Sequence, residues 1–178
     1  METLPTPLLT EAEIAARVTS LANEISRDYA GKGELLLVGV LKGAFIFLAD
    51  LARRLTIPRQ VDFVALSTYP DTTTDPGAVR LIMDLRSDIA NRHVLVVEDI
   101  LDTGRTLHYL LRTLAARQPA SLKTCVLLHK PARREVAINP DYLGFEIPDR
   151  WVVGYGLDHA DHHRTLPYLG VIDAETVG

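Results

Sequence analysis

The chain has 178 residues, 47% of them hydrophobic, a formal net charge of −4 and a single cysteine. That is enough chain for one domain with a sizeable core and too apolar for a disordered one, and the acidic balance speaks against an extended nucleic-acid-binding surface. No apolar run approaches the roughly 18–20 residues of a membrane span, and the lone Cys125 excludes an internal disulfide framework and fits a reducing, cytoplasmic setting.

The opening METLPTPLLTEAEI has no basic stretch followed by an apolar one, so no signal peptide is expected. Residues 10–31 read as a helix. Thr10 and Glu13 suit a capping box, Ile14, Val18, Leu21, Ile25 and Tyr29 share one face, and Gly31 ends it. ELLLVGVL (34–41) is too continuously apolar for a half-exposed strand, which predicts a buried, parallel one. Residues 43–55 are predicted helical, and Pro58 stops continuation. Strands over 61–69 and 79–85 flank the polar loop PDTTTDPGA. HVLVVEDI (93–100) is a second buried strand, RTLHYLLRTLAAR (105–117) a helix and SLKTCVLLHK (121–130) a third buried strand. YLGFEIP (142–148), WVVGYGLD (151–158) and the short YLGVI complete the chain, without repeats or low-complexity tracts.

Strands alternating with helices make βαβ units, and right-handed crossovers put helices on both sheet faces. The expected fold is therefore a doubly wound α/β domain, which binds ligands beyond the carboxyl ends of its strands. The chemistry-bearing residues sit there. VLVVEDILDTGRT (94–106) runs from a buried strand into Glu98, Asp99 and Asp102, then into a turn and a helix. Gly104 permits an unusual backbone angle, Thr103 and Thr106 offer hydroxyls, and the free N–H groups of a helix start attract anions. This is a phosphate cradle without a Walker or G-x-G-x-x-G pattern. Two acids beside a phosphate repel it unless a Mg²⁺ ion or sugar hydroxyls intervene. Asp-Thr-Gly also occurs in aspartic proteases, but those are all-β, and here a helix pattern follows directly.

VLVVEDILDTGRT resembles the phosphoribosyl diphosphate signature of the type I phosphoribosyltransferases, and most closely that of the hypoxanthine-guanine phosphoribosyltransferase family. LLLVGVLKGAFIFLADL resembles that family's pyrophosphate loop, DFVALSTY the start of its mobile loop, LLHK its purine-contacting lysine strand and GFEIPDRWVVGYGLD its base-binding segment. The likeness covers most of residues 34–172 in the family's order. It implies a mostly parallel sheet in a single domain over 1–178, with a core of about 34–150 and a small hood from 1–33 and 151–178.

The implied reaction joins an oxopurine to the ribose of phosphoribosyl diphosphate and releases pyrophosphate, with Mg²⁺ as cofactor. By resemblance, Glu98 and Asp99 bind the ribose hydroxyls and Mg²⁺, and residues Asp102, Thr103, Gly104, Arg105 and Thr106 take the 5-phosphate. Asp102 is the candidate base, although an ordinary Asp, with a pKa of about 4, is a weak one at neutral pH. Leu41, Lys42, Gly43 and Arg164 face the pyrophosphate, with a cis peptide between Leu41 and Lys42; Ala44 departs from the family's frequent second glycine. Lys130 donates to the purine 6-oxo group, Trp151 stacks on the base, Val152 offers its carbonyl to the base edge, and Asp158 holds a second Mg²⁺ through water. Ser67, Thr68 and Tyr69 form one end of a lid over 69–78.

Taken singly, Lys42 reads as a solvated strand-end lysine, Trp151 as core or interface, and Arg164 as a surface cation. His159, His162 and His163 with Asp158 and Asp161 leave a transition-metal site open in principle, without a second ligand cluster to support it. The implied partners are small molecules and further copies of the chain, as a homodimer or homotetramer. The alternative is a regulatory protein on the same fold that binds phosphoribosyl diphosphate or a nucleotide. Such a protein would be expected to add a basic patch or a DNA-binding domain, and neither is visible.

Overall fold

The computed structural model describes residues 4–68 and 79–172. Its first element was not legible in the sequence: β1 (Thr6–Leu9) is a four-residue strand containing Pro7. Helix α1 (Glu11–Asp28) then begins on the predicted capping box. The Thr10 N–H donates to Glu13 Oε2 at 2.8 Å, and the Glu13 N–H donates to Thr10 Oγ1 at 3.3 Å. There follow β2 (Leu35–Leu41), α2 (Phe45–Arg54), β3 (Arg59–Thr68), β4 (Val79–Met83), β5 (His93–Leu101), α3 (Arg105–Ala115) and β6 (Ser121–His129). A 3₁₀ turn (Pro131–Arg133), β7 (Tyr142–Glu146), β8 (Trp151–Val153) and β9 (Leu169–Ile172) complete the order.

Six strands form the main sheet in the order β4-β3-β2-β5-β6-β7. All its pairings are parallel except β3 with β4. Alternation along the strands explains how both faces are covered. Leu35 and Leu37 of β2, Leu95 and Val97 of β5 and Cys125 of β6 pack against α1 and α2. Leu36, Val38, Val94 and Val96 point the other way, onto the stripe Leu107, Leu110 and Leu114 of α3. Each of these leucines is at most 1% exposed, and full burial of such a side chain contributes about 1.5–3 kcal/mol. The doubly wound, mostly parallel sheet is thus the one expected. The chain leaves β2 toward β3 on one side and returns to β5 on the other, so the switch point where such folds bind ligands lies between β2 and β5.

β1, β9 and β8 make a separate antiparallel sheet. Within the segment 151–158, β8 ends at Val153. Gly154 (φ 97°), Tyr155 (φ 48°) and Gly156 (φ 108°) then turn the chain back. A side chain on Gly156 would come within 2.0 Å of the Gly43 carbonyl, so this turn docks backbone to backbone on the loop after β2.

Candidate active site

β5 delivers its two acids to the switch point in successive rows of the strand, and both line the cleft over the start of α3. Glu98 continues the row of Val94 and Val96, and Asp99 the row of Leu95 and Val97. Glu98 is 6% exposed, and its Oε2 has no hydrogen-bond partner among the described residues. Burial, reinforced by the neighbouring Asp99 charge, lifts its pKa to about 8. Burial lifts Asp99 to about 6. Asp99 lies against the loop after β2, where a Cβ on Gly43 would fall 1.7 Å from Asp99 Oδ2.

The turn after β5 takes Gly104 to φ 87°, where an L side chain is strained. A Cβ there would also meet the Val136 carbonyl at 3.0 Å. Gly104 gives α3 no side-chain cap; the Arg105 N–H makes a long bond to Thr103 Oγ1 at 3.4 Å, and a helix start of this kind attracts an anion. A cleft of about 220 Å³ runs over this start, lined by Glu98, Asp99, Asp102, Thr103, Gly104 and Thr106 among others. The Arg105 side chain departs from the expected grouping. It turns away from the cleft to pair with Glu135 at 2.6 Å, which leaves only its backbone at the cradle. The Glu135 and Val136 N–H groups both donate to the Thr103 carbonyl, which ties the chain after the 3₁₀ turn to the cradle.

A second cleft, of about 230 Å³, adjoins the first. Asp99, Asp102, Lys130, Trp151, Val152 and Asp158 line it, together with Ile100 and Leu157, which sequence reasoning did not single out. Lys130 is only 8% exposed, and its Nζ lies 3.7 Å from Asp149. Trp151 is 51% exposed, an unusual state for an indole, with His159 edge-on at 5.8 Å. Asp102 accepts a hydrogen bond from Arg133 Nε at 3.1 Å, and Arg133 reaches Asp149 at 4.0 Å. Arg133 and Asp149 were both missed. The basic run that follows Lys130, KPARR, was the available signal.

The loop after β2 carries a cis peptide between Leu41 and Lys42, as the resemblance implied. Lys42 and Arg164 come together around Asp161. Arg164 also pairs with Asp158 at 2.7 Å and donates to the Gly156 carbonyl at 2.9 Å. Ser67 and Thr68 sit at the end of β3, opposite Arg80 and Val79 of β4, and Ser67 lines neither cleft. Tyr69 and the expected lid over 69–78 lie outside the described residues. Among the described residues no group of three or more His, Cys, Asp or Glu is arranged to hold a metal ion, the histidine cluster included.

A family profile described as "Phosphoribosyl transferase domain" matches residues 7–160. The hypoxanthine-guanine phosphoribosyltransferase of Mycobacterium avium is 46% identical over 171 residues, 93% of this chain and 84% of that one. The hypoxanthine phosphoribosyltransferase of Salmonella typhimurium is 45% identical over 166 residues, 93% of each chain. Among solved structures, a hypoxanthine-guanine phosphoribosyltransferase of Bacillus anthracis is similar with a TM-score of 0.91 at 40% identity, covering 96% of this chain and 100% of that one. A ternary substrate complex of a Trypanosoma cruzi hypoxanthine phosphoribosyltransferase variant gives 0.91 at 42% identity, covering 97% of each. Sequence, fold and the placement of two adjoining clefts at the switch point thus agree, and the chain belongs to the hypoxanthine-guanine phosphoribosyltransferase family.

Proposed function

We propose that this chain transfers the 5-phosphoribosyl group from phosphoribosyl diphosphate to hypoxanthine and guanine, releasing pyrophosphate and the purine nucleoside monophosphate. The observation that carries this reading is that the two clefts share Asp99, Ile100 and Asp102. One cleft suits a phosphate and the other a flat base, so a sugar bound in the first puts its anomeric carbon where they join. There the bond from carbon to the diphosphate oxygen breaks, its electrons leave with pyrophosphate, and a purine nitrogen supplies the new bond. Carboxylates beside that carbon stabilise its developing positive charge.

The 5-phosphate sits on the N–H groups of residues 103–106 and the two threonine hydroxyls. Asp102 faces the purine and takes up, or offsets, the positive charge that the base acquires. Lys130 donates to the 6-oxo group, which favours oxopurines over adenine. Trp151 covers the ring, and the Val152 carbonyl meets its edge. Lys42, with the backbone of Leu41 and Gly43, and Arg164 hold the pyrophosphate. Ser67 and Thr68, at the end of β3, and Tyr69 match the start of the family's mobile loop, whose role in such a reaction is to exclude water.

Mg²⁺ fits the acids. Glu98 Oε2 lacks a partner, and both Glu98 and Asp99 are held above the usual carboxylate range, so a hard cation would satisfy the one and draw protons from both. Glu98 and Asp99 would hold it with substrate and water oxygens, and Asp158 would reach a second ion through water. The ion supplies charge neutralisation of the diphosphate leaving group. The chain acts as one domain over 1–178, with a core of about 34–150 and a hood from 1–33 and 151–178. It works in the cytoplasm as a homodimer or homotetramer.

Purified protein with Mg²⁺, phosphoribosyl diphosphate and each of hypoxanthine, guanine, xanthine and adenine tests the reading. Nucleotide should form from hypoxanthine and guanine. No product from any base would overturn the activity, and a preference for adenine would overturn the role of Lys130. Asp102→Asn is expected to lower kcat by roughly 10²-fold or more, in the range of a lost general base. Near-normal turnover in that variant would remove Asp102 from the mechanism.

A further inference from the structure

Residues 159–162 form a hairpin with a two-residue connection. The His159 N–H donates to the His162 carbonyl at 3.3 Å, and the His162 N–H donates to the His159 carbonyl at 2.9 Å. The two residues between them, Ala160 (φ 50°) and Asp161 (φ 64°), both lie at positive φ, as in the tight type I′ connection. The Asp161 N–H also donates to Asp158 Oδ2 at 2.7 Å, which fixes the tip to the floor of the site. The tip therefore presents one carboxylate in a set direction. That direction is toward the two cations of the pyrophosphate loop region. Lys42 Nζ donates to both Asp161 oxygens, at 3.0 and 3.1 Å. Arg164 donates to Oδ1 through Nε at 3.2 Å and Nη2 at 2.8 Å.

A carboxylate held by a lysine and the fork of an arginine has the contacts that a phosphate group would make with the same two side chains. We propose that Asp161 is a built-in stand-in for the pyrophosphate, which fills the Lys42 and Arg164 positions in the free enzyme and competes with the diphosphate for them. Two acids, Asp158 and Asp161, face two cations, so this corner carries no net positive charge until Asp161 is displaced. The consequence is a weakened hold on pyrophosphate and an easier exit for the product. Asp161 acts through Lys42 and Arg164 and is a positioning residue. The inference rests on the reading that these two side chains bind the pyrophosphate.

The test uses the full-length enzyme and titration calorimetry with magnesium pyrophosphate. Asp161→Asn keeps the shape and tolerates the positive φ, but it removes the charge. The ion pair is solvent-exposed, so the expected gain is modest: about threefold tighter pyrophosphate binding, with a matching fall in KM for phosphoribosyl diphosphate and no rise in kcat. The gain should shrink as salt is raised. Asp161→Glu, which restores a carboxylate, should return binding toward that of the wild type. Unchanged or weaker pyrophosphate binding in Asp161→Asn overturns the proposal, weaker binding being the result expected if Asp161 instead contacted the metal ion. Lys42→Ala separates the two levels. If it leaves pyrophosphate binding unchanged, the underlying assignment of the loop fails. If it weakens binding while Asp161→Asn strengthens nothing, only the stand-in role fails.

Discussion

Glu98 has an uncommon local environment: a carboxyl at the end of an apolar row, with an acid as its neighbour and one oxygen without a partner. Its pKa rises from 4.5 to about 8, so between those values the folded chain keeps a proton that the unfolded chain has released. The sign follows directly. Its contribution to stability is fully present below about 4.5 and is lost as pH rises through about 8. Within that window stability falls steadily as pH rises. Urea unfolding of the metal-free protein from pH 5 to 8 should therefore show the wild type losing stability relative to Glu98→Gln, which has no proton to lose. Parallel curves for the two proteins would refute the elevated pKa. Adding Mg²⁺ and phosphoribosyl diphosphate should stabilise the ionised form and flatten the wild-type curve. What the sequence could show at this scale was residue type and order: Glu98, Asp99, Asp102, Lys130 and Trp151 were all identified from it. Of the internal counter-charges, Arg133 and Asp149 were not, and Asp161 was noted only beside the histidines as a metal ligand, because each meets its partner through folded geometry that no local pattern encodes.

At the scale of elements, the junction of β5 and α3 depends on one backbone angle. Gly104 stands at φ 87° with the Val136 carbonyl where a side chain would go. Gly104→Ala should cost about 1–2 kcal/mol for the left-handed angle alone, read from urea or thermal unfolding. The same change should raise KM for phosphoribosyl diphosphate more than KM for the purine, because the strain falls on the cradle and spares the Trp151 cleft. Equal effects on both constants would show that the cradle and the base slot are not separable in this way. Helices and buried strands were legible because their periodicities are long and regular, down to the capping box of α1. β1 was not, since four residues with a proline at the second position carry no period. No element was assigned to residues 151–158 either, although Gly154 and Gly156 stood in the sequence as the signal for the turn that ends β8.

Over the whole molecule, the base slot draws on both sheets. Lys130 follows β6 of the main sheet, whereas Trp151 and Val152 belong to β8 of the small one. The small sheet holds β8 at its edge through β9, and β9 is flanked in turn by β1. Removing residues 1–9 would leave β9 with an unpaired edge and loosen the platform beneath Trp151. The expected result is a rise of roughly tenfold in KM for hypoxanthine with a much smaller change in KM for phosphoribosyl diphosphate, since small displacements of a binding wall are costly. Steady-state kinetics with each substrate varied in turn measures this, and a larger effect on phosphoribosyl diphosphate would contradict the division between the sheets.

The single cysteine lies fully buried in the layer beneath α1, where burial pushes its thiol well above the ordinary range. A thiol so placed is inert to alkylating dyes while the protein is folded. The native chain is therefore already a blank background for site-specific labelling. A cysteine introduced at exposed Ala160, beside the hairpin tip, would take one fluorophore and report directly on whether that tip moves when pyrophosphate arrives.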